Sequence, residues 1–199
     1  MGMISFWWVR HAPVVNNNDC CYGDNEVECD TTDTKQFKFL AKTLPKNAKT
    51  YSSTLTRAIK TFIATVNSGY KYKNYCEDER LKEQNIGKLA GMKYKDLYKL
   101  TKKLNVYSPY WLMNEKFIPT GGESFVHLNE RINDFLKEKI IKNENENLVI
   151  FSHGGPIRSA INIALYNKNV SVGNFAIDNL KVTKITYNKG RWQIDFVNN

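Results

Sequence analysis

Ile4-Ser5-Phe6-Trp7-Trp8-Val9 and, far downstream, Leu148-Val149-Ile150-Phe151 are near-continuous apolar runs, and each breaks off into polar chemistry. Arg10-His11 follows the first run, and Ser152-His153-Gly154-Gly155-Pro156 follows the second. Short runs apolar at every position read as strands buried on both faces, the pattern of a central parallel sheet. Between them lie helical patterns. Phe37, Leu40, Ala41 and Leu44 recur at helical spacing over Thr34–Leu44, stopped by Pro45. Leu55 to Asn67 reads as a second helix ending at Gly69, after a short strand at Thr50-Tyr51-Ser52. Lys71–Cys76 suggests another strand. Glu123 to Ile141 is amphipathic, with Phe125, Leu128, Ile132, Phe135, Leu136 and Ile140 on one face. A helix from Pro156 to Tyr166 and a terminal hairpin, Leu180–Tyr187 and Arg191–Val197 around Asn188-Lys189-Gly190, complete the chain.

Strands alternating with helices predict an α/β fold, a three-layer sandwich with a mostly parallel central sheet. The 199 residues fit a single domain, 1–199, and bury enough surface to need no staple. The Lys- and Tyr-rich stretch at about 84–120 has broken periodicity. It reads as a cap-like insertion of helices with a loop around Pro109. Most of its aromatic residues (Tyr94, Tyr98, Tyr107, Tyr110, Trp111, Phe117) are expected to pack that cap, with one or two facing a pocket.

Composition narrows the function classes. A hydrophobic content of 42% with 25% charged residues is ordinary for a globular protein, and no apolar run is long enough for a membrane span. The opening residues read as a strand, not a signal peptide, because they lack a basic leader. The net charge of +9 invites a nucleic-acid reading, but only 6 of the 29 basic residues are Arg and the lysines are scattered. Solvated lysine faces with a general attraction for anions explain it without a nucleic-acid partner. Cys20, Cys21, Cys29 and Cys76 form no C-x-x-C pair, so reduced thiols in a cytoplasmic protein are the expectation.

In open α/β sheets ligands bind beyond the carboxyl ends of the strands. Two of the three histidines, His11 and His153, fall there, with Arg10; Arg57 falls in the first turn of the helix after Ser52. Gly154 and Gly155 leave backbone N–H groups at a helix start, where Pro156 costs no hydrogen bond. Two arginines, backbone donors and two imidazoles describe a pocket for a phosphoryl group. His127 lies on the polar side of its helix and is expected to be solvated.

These residues carry a resemblance. Val9-Arg10-His11-Ala12-Pro13, Ser52-Ser53-Thr54-Leu55-Thr56-Arg57-Ala58, Arg80-Leu81-Lys82-Glu83 with Gly87 and Gly91, Gly121-Gly122-Glu123-Ser124 with Arg131, and Ser152-His153-Gly154-Gly155 resemble, in order, the motifs of the histidine phosphatase (phosphoglycerate mutase-like) superfamily. The resemblance implies a phosphoglycerate mutase-like fold and a phosphomonoesterase acting on a small phosphate ester through a phosphohistidine, with no metal and no cofactor. It implies Arg10, His11, Arg57, Glu83 and His153 as the catalytic five, and Arg10, Arg57, Asn17 and Gly154 as substrate-binding. His11 would attack phosphorus, Glu83 would serve as general acid and then base, and Arg10, Arg57 and His153 would neutralise the phosphoryl oxygens.

Cys21-Tyr22-Gly23 is similar to a segment of α-ribazole phosphatases. With the aromatic insertion it points to a flat or partly apolar leaving group such as that of α-ribazole 5′-phosphate. Outside the phosphate cluster the motifs offer no further arginine for a carboxylate such as that of 3-phosphoglycerate. The chain departs from the family at Ala12 and Pro13-Val14, on the substrate side. Three other readings compete: a metal site of two His and a Glu, which Arg10 and Arg57 would repel; a non-catalytic phospho-ligand module; and phosphoglycerate mutase-type transfer, which a longer chain would suit better. The oligomeric state is not legible in the sequence.

Overall fold

The computed structural model describes residues 2–16, 18–104, 112, 114, 117–142, 145–166 and 172–199. Its six-stranded sheet runs β3-β2-β4-β1-β5-β6, with β1 at Ile4–Arg10, β2 at Ala48–Ser52, β3 at Tyr72–Glu77, β4 at Asn147–Ser152, β5 at Val182–Asn188 and β6 at Arg191–Phe196. The pairs β2–β3, β2–β4 and β1–β4 are parallel, whereas β1–β5 and β5–β6 are antiparallel. The parallel half holds β1 and β4, the two runs on which the sequence reading rests.

Side-chain alternation divides the core between two helical layers. Ile4, Phe6 and Trp8 of β1 and Leu148 and Ile150 of β4 pack beneath α4 (Phe125–Lys142) and α5 (Gly154–Leu165). Val9, Val149 and Phe151 point the other way, onto α1 (Thr34–Thr43) and α2 (Thr56–Asn67). The three-layer expectation therefore holds. A continuous apolar run works here because both faces of the strand are covered.

Asp33 caps α1 by accepting from Gln36 N, and the chain turns away before Pro45. The hairpin turns at Lys189 and Gly190, both with positive φ. One boundary differs in a way that matters: α5 starts at Gly154, not at Pro156. Pro156 is thus the third residue of the helix, still within the turn whose N–H groups lack intrahelical acceptors.

Within the Gln84–Thr120 stretch the described residues form a 3-10 turn at Gly87–Leu89 and α3 at Tyr94–Lys103. Cys21, Ile86, Leu89 and Leu97 make a separate apolar cluster with Leu112 and Phe117 against it. Tyr107, Tyr110, Trp111 and the turn expected around Pro109 lie outside the described residues.

Candidate functional site

Strand register builds the site. Arg10 pairs with Ser152 across β1 and β4, so the next residues, His11 and His153, leave the sheet side by side. Their ring centroids are 5.1 Å apart. On the other flank of β4, Ser52 pairs with Phe151, which brings Ser53 to the same edge. The ladder bonds continue past the strand ends: His11 N donates to Ser152 O and Ser53 N to Phe151 O, each at 2.9 Å. These residues are therefore positioned by the hydrogen-bond ladder of the sheet itself.

Hydrogen-bond partners assign the imidazole tautomers. His11 Nδ1 lies 2.7 Å from Ala12 O, and a carbonyl only accepts, so Nδ1 carries the proton and Nε2 is left with its lone pair. Arg57 Nε donates to His153 Nδ1 at 3.2 Å, so the His153 proton sits on Nε2 and is donated to Ser53 Oγ at 2.8 Å. Burial, then the cations of Arg57 and Arg10, push His11 down from 6.5 to about 3. His153 is held well below its usual value chiefly by burial, then by Arg57. Both rings are neutral at physiological pH.

The arginines are set by backbone carbonyls. Arg57, on the second residue of α2, is fully buried; its NH1 donates to Asn25 O (2.7 Å) and its NH2 to Gly23 O (2.9 Å). Its guanidinium stands 5.1 Å from the centre of the Tyr22 ring. Arg57 thus ties the loop carrying Tyr22 to the two-histidine edge, a structural duty beyond the one expected of it. Arg10 NH1 donates to Ile177 O at 2.5 Å, while its buried Nε has no partner among the described residues.

Glu83 follows the 3-10 turn Glu79–Leu81. Its backbone is clamped by Arg131 of α4, which donates to the carbonyls of Arg80, Lys82 and Glu83 and pairs with Glu123. The Glu83 carboxylate accepts from Gly155 N, at 3.0 Å to Oε1 and 3.3 Å to Oε2. The start of α5, expected as a phosphoryl cradle, therefore binds this carboxylate through Gly155. A Cβ at Gly155 would fall 2.2 Å from Glu83 Oε1, which explains the glycine.

Arg10, Glu83 and Gly154 line one cavity of about 180 Å³ together with Cys21, Tyr22, Gly23, Gln84, Ile86, Tyr94, Leu112, Gly155 and Arg158. Of the insertion's aromatics Tyr94 reaches this wall, as expected of one or two of them. Burial pushes the Cys21 thiol up to about 11, so it stays protonated and inert. Asn17 lies outside the described residues. His127 is exposed, as expected, and its Nδ1 also accepts from Ser124 N at the start of α4.

Sequence reasoning missed Ser53 and Arg158. The motifs offered no further arginine outside the phosphate cluster; the structure places Arg158, which lies outside the motifs, in the cavity lining. The signal was present: Arg158 follows Gly154 by four residues, one helical turn on the same face.

The class is an α/β protein that gathers two neutral histidines, arginines and a carboxylate at the carboxyl edge of a mostly parallel sheet. The chain belongs to the histidine phosphatase superfamily, whose branch 1 it matches over residues 6–199. It is 30% identical over 156 residues to the metal-independent phosphoserine phosphatase of Arabidopsis thaliana, covering 76% of this chain and 64% of that protein. It spans 64% and 66% of the length of two curated relatives it matches. The fold is phosphoglycerate mutase-like. It superposes with a TM-score of 0.79 on a phosphoglycerate mutase from Bacillus anthracis, at 23% identity over 100% of this chain and 94% of that one. The α-ribazole phosphatase from Shigella flexneri gives 0.79 at 20% identity, over 98% and 96%.

Proposed function

We propose that the chain is a metal-independent phosphomonoesterase that acts through a phosphohistidine at His11. The observation that carries this reading is the tautomer of His11. A neutral imidazole whose Nδ1–H is committed to Ala12 O offers Nε2 to phosphorus, beside a buried Arg10 Nε with no partner among the described residues.

In the first step the Nε2 lone pair of His11 forms the N–P bond. The bond from phosphorus to the leaving oxygen breaks, and Glu83 gives that oxygen its proton. In the second, Glu83 takes a proton from water, the water oxygen attacks phosphorus, and the N–P bond breaks to return neutral His11 and inorganic phosphate. Ala12 O supports the Nδ1 proton while the ring carries positive charge. Arg10 and the remaining N–H donors of Arg57 stabilise the phosphoryl oxygens. His153 is neutral with its Nε2–H on Ser53 Oγ, so it contributes the orientation of Arg57 and Ser53; an entering phosphate dianion raises its proton affinity. Guanidinium groups at this point repel a metal cation, so activity persists in excess chelator.

Tyr22, Tyr94, Ile86 and Leu112 give the leaving group an apolar wall. α-Ribazole 5′-phosphate is the neutral candidate that suits it, and Arg158 favours a second reading, an acidic leaving group. The Gln84–Thr120 stretch serves as the cap in either case, within one domain. The four cysteines are free thiols, which fits a cytoplasmic setting, and among the described residues no helix is long and apolar enough to cross a membrane.

The test is rapid quenching with phosphoryl-labelled substrate. An acid-labile, alkali-stable adduct is expected, lost in His11→Ala. An adduct that survives that substitution refutes the assignment.

A further inference from the structure

A hydroxyl that takes no step in the proposed chemistry stands directly behind His153. Ser53 is fully buried and follows the last residue of β2. Its backbone is held from both sides: Ser53 N donates to Phe151 O at 2.9 Å, and Ser53 O accepts from Ser52 Oγ at 2.9 Å. The sheet therefore sets where the side chain points. There Ser53 Oγ accepts from His153 Nε2 at 2.8 Å and, at the entry to α2, from Leu55 N at 3.2 Å.

The contact matters because a neutral imidazole has one proton to place. Arg57 Nε–H can only donate, so the His153 Nδ1 that it meets at 3.2 Å must keep its lone pair, and the proton sits on Nε2. His153 is fully buried, and a buried N–H without an acceptor is costly. The ring escapes that cost by moving the proton to its other nitrogen. Without Ser53 Oγ, a proton on Nδ1 would face Arg57 Nε–H, donor against donor. The guanidinium would then keep its bonds to Asn25 O and Gly23 O, both on the loop that carries Tyr22, and lose the one that ties it to the two-histidine edge. Arg57 thus sets the direction of the bonds, and the Ser53 acceptor makes that direction tenable inside the protein.

We propose that Ser53 is a positioning residue of the reaction: its hydroxyl sustains the Nε2–H tautomer of His153 and, through Nδ1 of that ring, sets the guanidinium of Arg57 for the phosphoryl group. This rests on the phosphomonoesterase reading and deepens it. The competing duty of the hydroxyl is local, a turn that starts α2 through Leu55 N, and it involves neither His153 nor Arg57.

The experiment joins nitrogen NMR of the imidazole rings to a double-mutant cycle. The chain has three histidines, so each ring is assigned by substitution. At neutral pH the wild-type His153 ring should show a protonated Nε2 and a bare Nδ1, and Ser53→Ala should shift it toward the other tautomer. Ser53→Ala should lower kcat/KM on p-nitrophenyl phosphate by about ten- to a hundredfold, the range for a buried polar group left unpaired. Calorimetric affinity for inorganic phosphate should fall with it. In a His153→Ala background the same substitution should cost less than about twofold, because the ring through which Ser53 acts is gone. A turn-forming role would give equal factors in the two backgrounds. A wild-type ring protonated on Nδ1, a tautomer or phosphate affinity unchanged in Ser53→Ala, or equal factors in the two backgrounds overturns the proposal. The wild-type spectrum decides the tautomer even if Ser53→Ala fails to fold. Ring spectra and phosphate titrations need no turnover, so a wild-type chain inactive on every ester sinks the phosphatase reading separately.

Discussion

Gly155→Ala tests the proton-donor geometry by moving one carboxylate. The new Cβ would sit 2.2 Å from Glu83 Oε1 and 3.2 Å from Leu128 Cδ2. Ordinary carbon–oxygen contact needs about 3.4 Å, so the carboxylate must retreat by roughly 1.2 Å and give up its bond from Gly155 N. Glu83 is the far end of a flexible side chain, and the retreat costs the fold little. Gly155 is the second residue of α5, short of the interior where alanine's full advantage over glycine applies, so that advantage offsets the crowding of Leu128 in part. Stability should therefore stay within about 1 kcal/mol of wild type by urea titration.

Catalysis should change selectively. A misplaced general acid forfeits much of the roughly 10²- to 10⁴-fold that such a group provides, but only where the leaving group needs a proton. An alkyl phosphate should lose about a hundredfold in kcat/KM, and p-nitrophenyl phosphate, whose phenolate leaves unaided, should lose less than about tenfold. Glu83→Gln should show the same leaving-group dependence with Gly155 intact. Equal losses on both esters in the two variants would refute proton donation by Glu83 and leave it a positioning role.

Three further predictions follow from the histidines. His11 is held neutral in the folded chain at about 3 but titrates near 6.5 when unfolded, so its contribution is full above pH 6.5 and is lost as pH falls toward 3. At pH 5 the loss is about 1.5 units at 1.36 kcal/mol each, about 2 kcal/mol, and His153 acts in the same direction. His11→Gln removes that dependence, so urea titrations should show its stability relative to wild type improving by about 2 kcal/mol between pH 7.5 and pH 5; an unchanged difference would contradict the burial argument. His153→Ala should lower turnover by about two to three orders of magnitude, because it removes both a donor and the acceptor that orients Arg57. His127→Ala, at an exposed helix start, should cost no more than about 1 kcal/mol of stability and leave turnover little changed, as paired thermal melts and kinetics would show.

What the sequence made legible, and what it hid, has a physical pattern. The β1 and β4 runs declare themselves because a strand covered on both faces must be apolar at every position. Once they are strands, Arg10, His11 and His153 fall at one edge without any knowledge of contacts. Arg57 and Glu83 were legible through their motifs, though nothing local shows that Arg57 also holds the carbonyls of Gly23 and Asn25. Arg158 was hidden by a two-residue shift in the start of α5. With the helix begun at Pro156, Arg158 is a residue of the first turn; with it begun at Gly154, the two stand one turn apart on the same face. The occupant of the α5 start was hidden for a different reason. That Gly155 N meets Glu83 is a contact across 72 residues, and no local pattern encodes it.

The electrostatics of the site are self-consistent in a way that none of its residues is alone. A nucleophilic imidazole has to be unprotonated, yet a phosphate dianion beside it would by itself draw a proton onto it. Burial and the fixed charges of Arg57 and Arg10 remove that conflict, because they lower His11 to about 3 before any substrate enters. In the proposed mechanism the same arginines serve the opposite partner: the charges that keep protons off His11 would attract the phosphoryl group. His153 shares the low proton affinity, and its Nδ1 is used to hold Arg57 in place, so the cation that tunes both rings is itself positioned by one of them. The charge of Glu83 acts on Arg57 as well, but its position is set by a separate anchor, the Gly155 amide on one side and the Arg131 clamp behind it. The proposed nucleophile and the proposed proton donor are thus positioned by different elements, β1 with α2 for the first and α4 with the start of α5 for the second. That separation lets a single substitution such as Gly155→Ala disturb one and spare the other.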